Sequence, residues 1–280
     1  QIILLPAFEI ISGYPFPKFF SKNTRAILKK IYKLLQNQQP IIITRTRFFF
    51  SSLLWWFFAK IINLHRVHIE HGSSYVILES KRKNIIAYLY DHIVWRLLFR
   101  RCTILIPISK ACQNFIKKFT QRKTTVIYRG MWFIDSFDLP TDNTLTQLYK
   151  DKIIIGFVGR LYKRKNVAKL IYAYYKLDDT IREKTQLVIV WDGEDYNRLR
   201  KLDTDNIIDF KWWVNNHEAL QLQYQFSIHV HSSSPWWWIS SSLLQALYLW
   251  PLVVATPYEW ANEVIKNNQN GILLHDDSIQ

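Results

Sequence analysis

Two cations five residues apart are the side chains of this chain best suited to chemistry. In IIIGFVGRLYKRKN, residues 153–166, an apolar run ends at Gly159, and Arg160 and Lys165 follow in a basic loop. A glycine at a strand end lets the backbone approach a ligand closely. Arginine offers phosphate oxygens a planar fork and lysine a mobile point charge, so the pair suits a diphosphate; a solvated basic loop is the plain alternative. A second candidate is HSSSPWWWISSSLLQAL, residues 231–247. Here a strand ends, a turn follows, and a helix begins near Ser240. Amides at a helix start bind phosphate, and the hydroxyls of Ser240, Ser241 and Ser242 would add donors. Trp236, Trp237 and Trp238 would obstruct that approach; an aromatic patch or core plug is the competing reading. His71, beside Gly72 in EHGSS, is a third candidate, a hydrogen-bonding group or a structural residue at a strand end. His68 and His71 face opposite ways on a strand, and His229 and His231 share a face without a visible third ligand, so no metal site is expected. Asp192, Gly193 and Glu194 read as a turn.

The elements that must position these residues alternate between strand and helix. In the first half we expect a helix over 22–36, a strand over 41–44, a second helix over the Phe-rich run to Ile62, and a strand leading into a loop over 65–74. A helix over 84–100, a strand over 102–109, a helix over 110–119 and a short strand over 124–128 follow. Residues 129–150 carry Gly130, Pro140 and several Asp, Asn and Thr, the composition of a linker. Alternation then resumes, with strands over 153–159, 186–191, 206–210, 227–232 and 252–256. Helices over 166–177, 195–202, 217–224 and 240–249 lie between them. Near-continuous Ile/Val strands of this kind form buried parallel sheets, which bind ligands at their carboxyl ends. Two domains are expected, over 1–145 and 146–280.

A net charge of +15 and a pI near 9.7 call for an anionic partner: nucleic acid, an anionic membrane or a phosphorylated substrate. The basic helix at 22–36 would suit a membrane surface or simply a solvated face. Cys102 and Cys112 are too few for a disulfide framework. The longest apolar run, Phe48 to Phe58, falls short of the roughly 18 residues a bilayer span needs. The chain opens without Met or a basic leader, which reads as a fragment. It has 12 Trp against 7 Gly, where Gly ordinarily makes up about 7% of residues. Several Trp fall where the backbone calls for glycine, with Trp191, Trp238, Trp250 and Trp260 fitting best. A gene whose UGA codons mean Gly, translated as Trp, would give this pattern.

In order and spacing, GFVGRLYKRKN, LVIVWDGEDYNRL, the 231–247 turn and LVVATPYEWANEVIKNNQNGILL resemble glycosyltransferase family 4, the group 1 glycosyl transferases. RVHIEHGSS, ILIPISKACQNF and VIYRGM resemble the family's N-terminal domain more weakly. The resemblance implies an α/β GT-B fold, two Rossmann-like domains facing across a cleft, with the N-terminal one incomplete and the closing C-terminal helices missing. It implies a retaining enzyme whose donor is a nucleotide-diphosphate sugar and whose acceptor is a cell-envelope glycan or lipid-linked molecule. No cofactor, metal or nucleic acid is expected. The station implied is cytoplasmic, peripheral on the membrane's inner face. His71, Arg160 and Lys165 match catalytic positions; Gly159, Trp237, Trp238, Ile239, Ser240 and Gln245 fall with Arg160 and Lys165 on the donor site. The family's two Glu, eight apart, land on Trp237 and Gln245, and Glu263 falls in its later motif. An inactive nucleotide-sugar-binding relative and a basic membrane- or nucleic-acid-binding protein are the rival readings.

Overall fold

A computed structural model describes residues 7–11, 14–17, 21–35, 41–47, 52, 53, 56, 64–75, 80–131, 143–212, 214–233, 240–258 and 260–275. The chain divides into two units, 1–129 and 130–280. The second takes in all of α5 (Thr144–Leu148), which begins before residue 146: Leu145 is fully buried in its core, and the Leu145 N–H donates to Gln225 Oε1 at 2.7 Å. Most of the Phe-rich run, the middle of the linker (132–142) and residues 234–239 lie outside the described residues.

The first unit carries an antiparallel hairpin, β1 (Ala7–Ile11) and β2 (Tyr14–Pro17), and a parallel sheet in the order β3 (Ile41–Arg45), β4 (His65–Glu70), β5 (Ile104–Pro107). The helix α1 (Lys22–Leu35) precedes β3. Between β4 and β5 runs a long helix, α2 (Lys81–Tyr90), that widens into a π-turn over Asp91–Trp95 and continues as α3 (Arg96–Arg101). It starts three residues before the expected 84. Trp95, Leu98 and Phe99 enter a core shared with Leu105, Cys112, Phe115 and Phe119. After β5 comes α4 (Lys110–Ile116), whose first turn is capped by Ser109 Oγ accepting from the Cys112 N–H at 3.0 Å.

The strand expected over 124–128 does not form. The Ile127 N–H donates to Pro107 O at 3.1 Å, but Thr124 O is taken by the Gln113 side chain at 2.8 Å, so the segment runs beside β5 without building a ladder.

The second unit is a six-stranded parallel sheet preceded by α5, with α6 (Val167–Tyr175), α7 (Asp179–Glu183), α8 (Tyr196–Leu202), α9 (Asn216–Tyr224), α10 (Ser241–Leu249) and α11 (Ala261–Val264) between successive strands. Its strands are β6 (Ile153–Val158), β7 (Thr185–Val190), β8 (Asp209–Lys211), β9 (Ile228–His231), β10 (Leu252–Ala255) and β11 (Ile272–Leu273). The order is β11-β10-β9-β6-β7-β8. Every residue of β7 is buried. Leu187 and Ile189 face a core with Phe157, Ile171 and Leu199, while Val188 and Val190 face another with Ile154, Val158 and Phe226. This two-sided burial is why β7 reads as a continuous apolar run. Gly156 has a packing reason: a Cβ there would lie 2.0 Å from the Phe226 ring.

The strand expected from 206 begins only at Asp209. Asn206 is left-handed (φ 52°), and the Asp203 carboxylate accepts from the N–H groups of Ile207 and Ile208, withdrawing them from any ladder.

Candidate active site

From β6 the chain builds outward through β7 to β8, then returns to lay β9, β10 and β11 on the other side. The order reverses between β6 and β9, and the crevice outside the carboxyl ends of strands at such a switch is where open parallel sheets take ligands. Gly159 follows β6, and Ser232 and Ser233 follow β9. The two sequence candidates, far apart in the chain, therefore meet at one place.

Gly159 has φ +151°, a conformation side-chain-bearing residues rarely adopt. A Cβ on it would lie 3.9 Å from Ser242 Oγ, which sets the tip of β6 against the first turn of α10 (Ser241–Leu249). Ser240 occupies the N-cap, but its hydroxyl meets Ser242 Oγ at 2.9 Å and caps no backbone N–H. The first-turn amides of α10 therefore have no side-chain cap, the arrangement that binds phosphate. Gln245 is half-buried, one turn beyond Ser241. Trp237, Trp238 and Ile239 lie outside the described residues.

The loop after Gly159 closes with a 3-10 turn, Lys163–Lys165, before α6 (Val167–Tyr175). The Ser232 hydroxyl donates to Lys165 O at 2.8 Å, fastening this turn to the tip of β9. Lys165 is half-buried, and among the described residues its ammonium has no hydrogen-bond or ion-pair partner. Burial, followed by the neighbouring Arg164 charge, lowers its pKa to about 8. Burial and then the Lys165 charge lower His229 to about 3 and hold His231 well below the usual imidazole range. Both histidines are thus neutral core residues behind the lysine. Arg160 is exposed and donates to Tyr162 Oη at 3.1 Å, a bond that raises its pKa, with Tyr162 and Asp192 adding to the effect.

In the first unit His71 follows β4 directly. Its Nε2 is buried without a hydrogen-bond partner. Burial, then the charge of Arg45, lowers its pKa to about 4, with Glu70 opposing, so the ring is neutral at ordinary pH. The loop that carries it is held by groups that sequence patterning did not single out. Arg47, fully buried, pairs through Nη1 with Glu70 Oε1 at 3.1 Å and through Nε with Asp91 at 3.2 Å, and also donates to Ser74 O. Glu70 accepts from the Gly72 N–H at 2.6 Å and meets His68 Nε2 at 3.2 Å. Burial alone would raise the Glu70 carboxyl; Arg47, His68 and the Gly72 amide together hold it at about 2. A Cβ on Gly72 would strike Arg47 Nη1 at 2.3 Å, so glycine is required there.

Two of the tryptophans stand in glycine conformations. Trp191, after β7, has φ 108°, and Trp250, closing α10, has φ 70°. Such angles are outliers for a bulky residue. Trp260 does not follow: its φ of −86° is open to any residue. Trp238 lies outside the described residues.

Comparison with known proteins agrees with this architecture. Residues 142–280 match the profile of the glycosyl transferases group 1 family. The chain is 40% identical to the uncharacterized glycosyltransferase MJ1069 of Methanocaldococcus jannaschii, over 99% of this chain and 72% of the relative. Among solved structures, Anabaena HepE in complex with UDP and glucose aligns at TM-score 0.69 and 20% identity, over 91% of this chain and 69% of HepE. Sucrose-phosphate synthase from Thermosynechococcus elongatus aligns at TM-score 0.68 and 16% identity, over 94% of this chain and 68% of the synthase. TarM of S. aureus, in complex with fondaparinux, α-GlcNAc-glycerol and UDP, aligns at TM-score 0.67 and 15% identity, over 90% of this chain and 48% of TarM. The fold is that of the GT-B glycosyltransferases. The chain belongs to the group 1 glycosyl transferases, and it is a glycosyltransferase by that membership.

Proposed function

We propose that the protein is a retaining glycosyltransferase that moves a sugar from a nucleotide-diphosphate sugar to a cell-envelope glycan or a lipid-linked acceptor. The observation that carries this reading is the meeting at the β6/β9 switch of Gly159, the unpartnered Lys165 ammonium and the uncapped start of α10. Uncapped amides, one half-buried cation and the exposed Arg160 fork offer donors and charge to an anion with several oxygens. On this reading the bond from the anomeric carbon to the diphosphate oxygen breaks, leaving an oxocarbenium-like sugar. Its electron pair stays on the leaving group, where Arg160, Lys165 and the α10 amides neutralise it. The acceptor hydroxyl then bonds the anomeric carbon and gives its proton to the departing phosphate. His71, neutral and with a free Nε2, hydrogen-bonds the transferred sugar. No metal or cofactor enters, since side chains and amides supply the neutralising charge.

A lipid-linked acceptor would place the enzyme on the inner face of a membrane as a peripheral cytoplasmic protein. Among the described residues no helix is long and apolar enough to cross one. The second reading is an inactive relative that binds nucleotide sugar, favoured by Gln245, which has no charge where the family carries Glu.

Isothermal titration with UDP, GDP and ADP, followed by hydrolysis and transfer assays with the corresponding sugars, decides among these. Binding of one nucleotide with turnover supports transfer; binding without turnover supports the inactive relative. If no nucleotide binds and affinity for polyanions simply falls steeply with salt, the site reading is wrong.

A further inference from the structure

The long helix of the first unit is apolar on both sides, and only one side is covered. Its inner side presents Trp95, Leu98 and Phe99 to the core. Its outer side presents Ile85 (61% exposed), Ile86 (67%), Leu89 (49%), Ile93 (61%) and Leu97 (49%). These positions form one line. Steps of four residues overshoot an α-turn by about 40°, and the wider π-turn over Asp91–Trp95 undershoots it, so the drift cancels midway. A row of large aliphatic residues left in water is unusual for a monomer and marks a surface with a partner.

The charges beside the row identify that partner. Lys81, Arg82, Arg96, Arg100 and Arg101 are all exposed, at the two ends of the same helix. The one carboxylate between residues 81 and 101, Asp91, is buried and paired with Arg47. We propose that this face, the outer side of α2–α3, docks on an anionic lipid bilayer, its aliphatic row in the acyl boundary and its flanking cations among the headgroups. The other basic helix, α1, is built differently. Its apolar Ile31 is turned inward, and Lys22, Arg25, Lys29, Lys30 and Lys33 present a charged face to solvent, with no comparable row of exposed aliphatic residues among the described side chains. A protein or a second copy of this chain would also cover aliphatic side chains, but a helix whose exposed charges are cations complements phospholipid.

The proposal rests on the peripheral placement under Proposed function only for its purpose; its test needs no turnover. The full chain is sedimented with vesicles of phosphatidylcholine, with and without phosphatidylglycerol, and UDP affinity is measured in parallel on each variant. The chain should bind the anionic vesicles and retain part of that binding at high salt, because apolar burial is not screened. Ile86→Ser with Ile93→Ser should abolish the salt-resistant part. Arg96→Ser with Arg100→Ser should weaken partitioning by about five-fold per cation removed. Lys29→Ser with Lys30→Ser should leave the salt-resistant part unchanged. An unchanged circular-dichroism spectrum and unfolding transition in the α2–α3 variants show that they fold. The proposal fails if the isoleucine variants bind vesicles like the parent chain. It also fails if those variants instead dissociate a dimer seen by light scattering, which would make a second copy the occupant. Vesicle binding by a chain that binds none of UDP, GDP and ADP would sink the donor-site reading and leave this surface standing.

Discussion

The Lys165 ammonium gives the donor site a pH dependence that can be calculated. Its pKa is lowered to about 8 by burial and by Arg164, below the 10.5 of a free lysine. A diphosphate beside it favours the charged form, so binding raises that pKa again and takes up a proton between pH 8 and 10. Nucleotide affinity should therefore be level from pH 7 to 8 and fall above 8. At pH 9 about nine-tenths of the free protein carries a neutral lysine, which corresponds to a loss approaching ten-fold. A hydrogen bond to a charged group contributes about 1.5–3 kcal/mol, so Lys165→Met should weaken binding by roughly 10- to 150-fold. Lys165→Arg keeps its charge throughout and should remove the alkaline decline while retaining affinity. Titration calorimetry in two buffers of different ionisation heat reads affinity and proton uptake together. If Lys165→Met binds as tightly as the parent, or if the decline above pH 8 persists in Lys165→Arg, the lysine does not face the phosphates.

Trp250 is 90% exposed in a left-handed conformation, so Trp250→Gly should remove strain at little packing cost. A gain of about 1 kcal/mol, or about 2–4 °C in Tm, is expected by scanning calorimetry, while Trp250→Ala, which keeps its Cβ, gains little. The codons at 191 and 250 should read UGA; UGG at both would end the codon explanation. Glu70→Gln leaves the Arg47 charge buried without its main partner and should cost about 3–5 kcal/mol in chemical denaturation. Because the folded Glu70 pKa is depressed to about 2, its contribution is complete above pH 4.5 and fades as pH falls toward 2. His71→Ala should lower kcat and spare nucleotide affinity. The acid limb of the parent enzyme should carry no inflection near 6.5 from this residue, because its pKa lies near 4.

The second unit was the more legible in sequence. Strands buried on both faces, such as β7, are written as unbroken apolar runs, and strand-end Gly159 with its following cations stood out by residue type. The buried carboxylate cage in the first unit was not legible. Arg47 lies in the run TRTRFFF, which has no periodicity to distinguish it, and its partners are 23 and 44 residues away. Glu70 and Gly72 were visible only as neighbours of His71. The segment 124–128 reads as a strand by β-branched content, yet whether it pairs depends on which groups Gln113 claims. Sequence context places Trp260 with the glycine-like tryptophans, and only its backbone angle separates it from Trp191 and Trp250.

The β6–β9 ladder runs only from Ile155 to Gly156, opposite Ile228 and His229, whereas β6 and β7 pair along their whole length. The sheet is consequently zipped unevenly, with a stitch where the two halves meet that is as short as the one between β10 and β11 at its edge. Amides near that stitch should exchange with deuterium sooner than those of β7, in a local opening that parts one half-sheet from the other. A molecule held by loops from both halves would act as a strap across it. Slower exchange at the stitch on adding a nucleotide would then report occupancy even where no sugar is transferred.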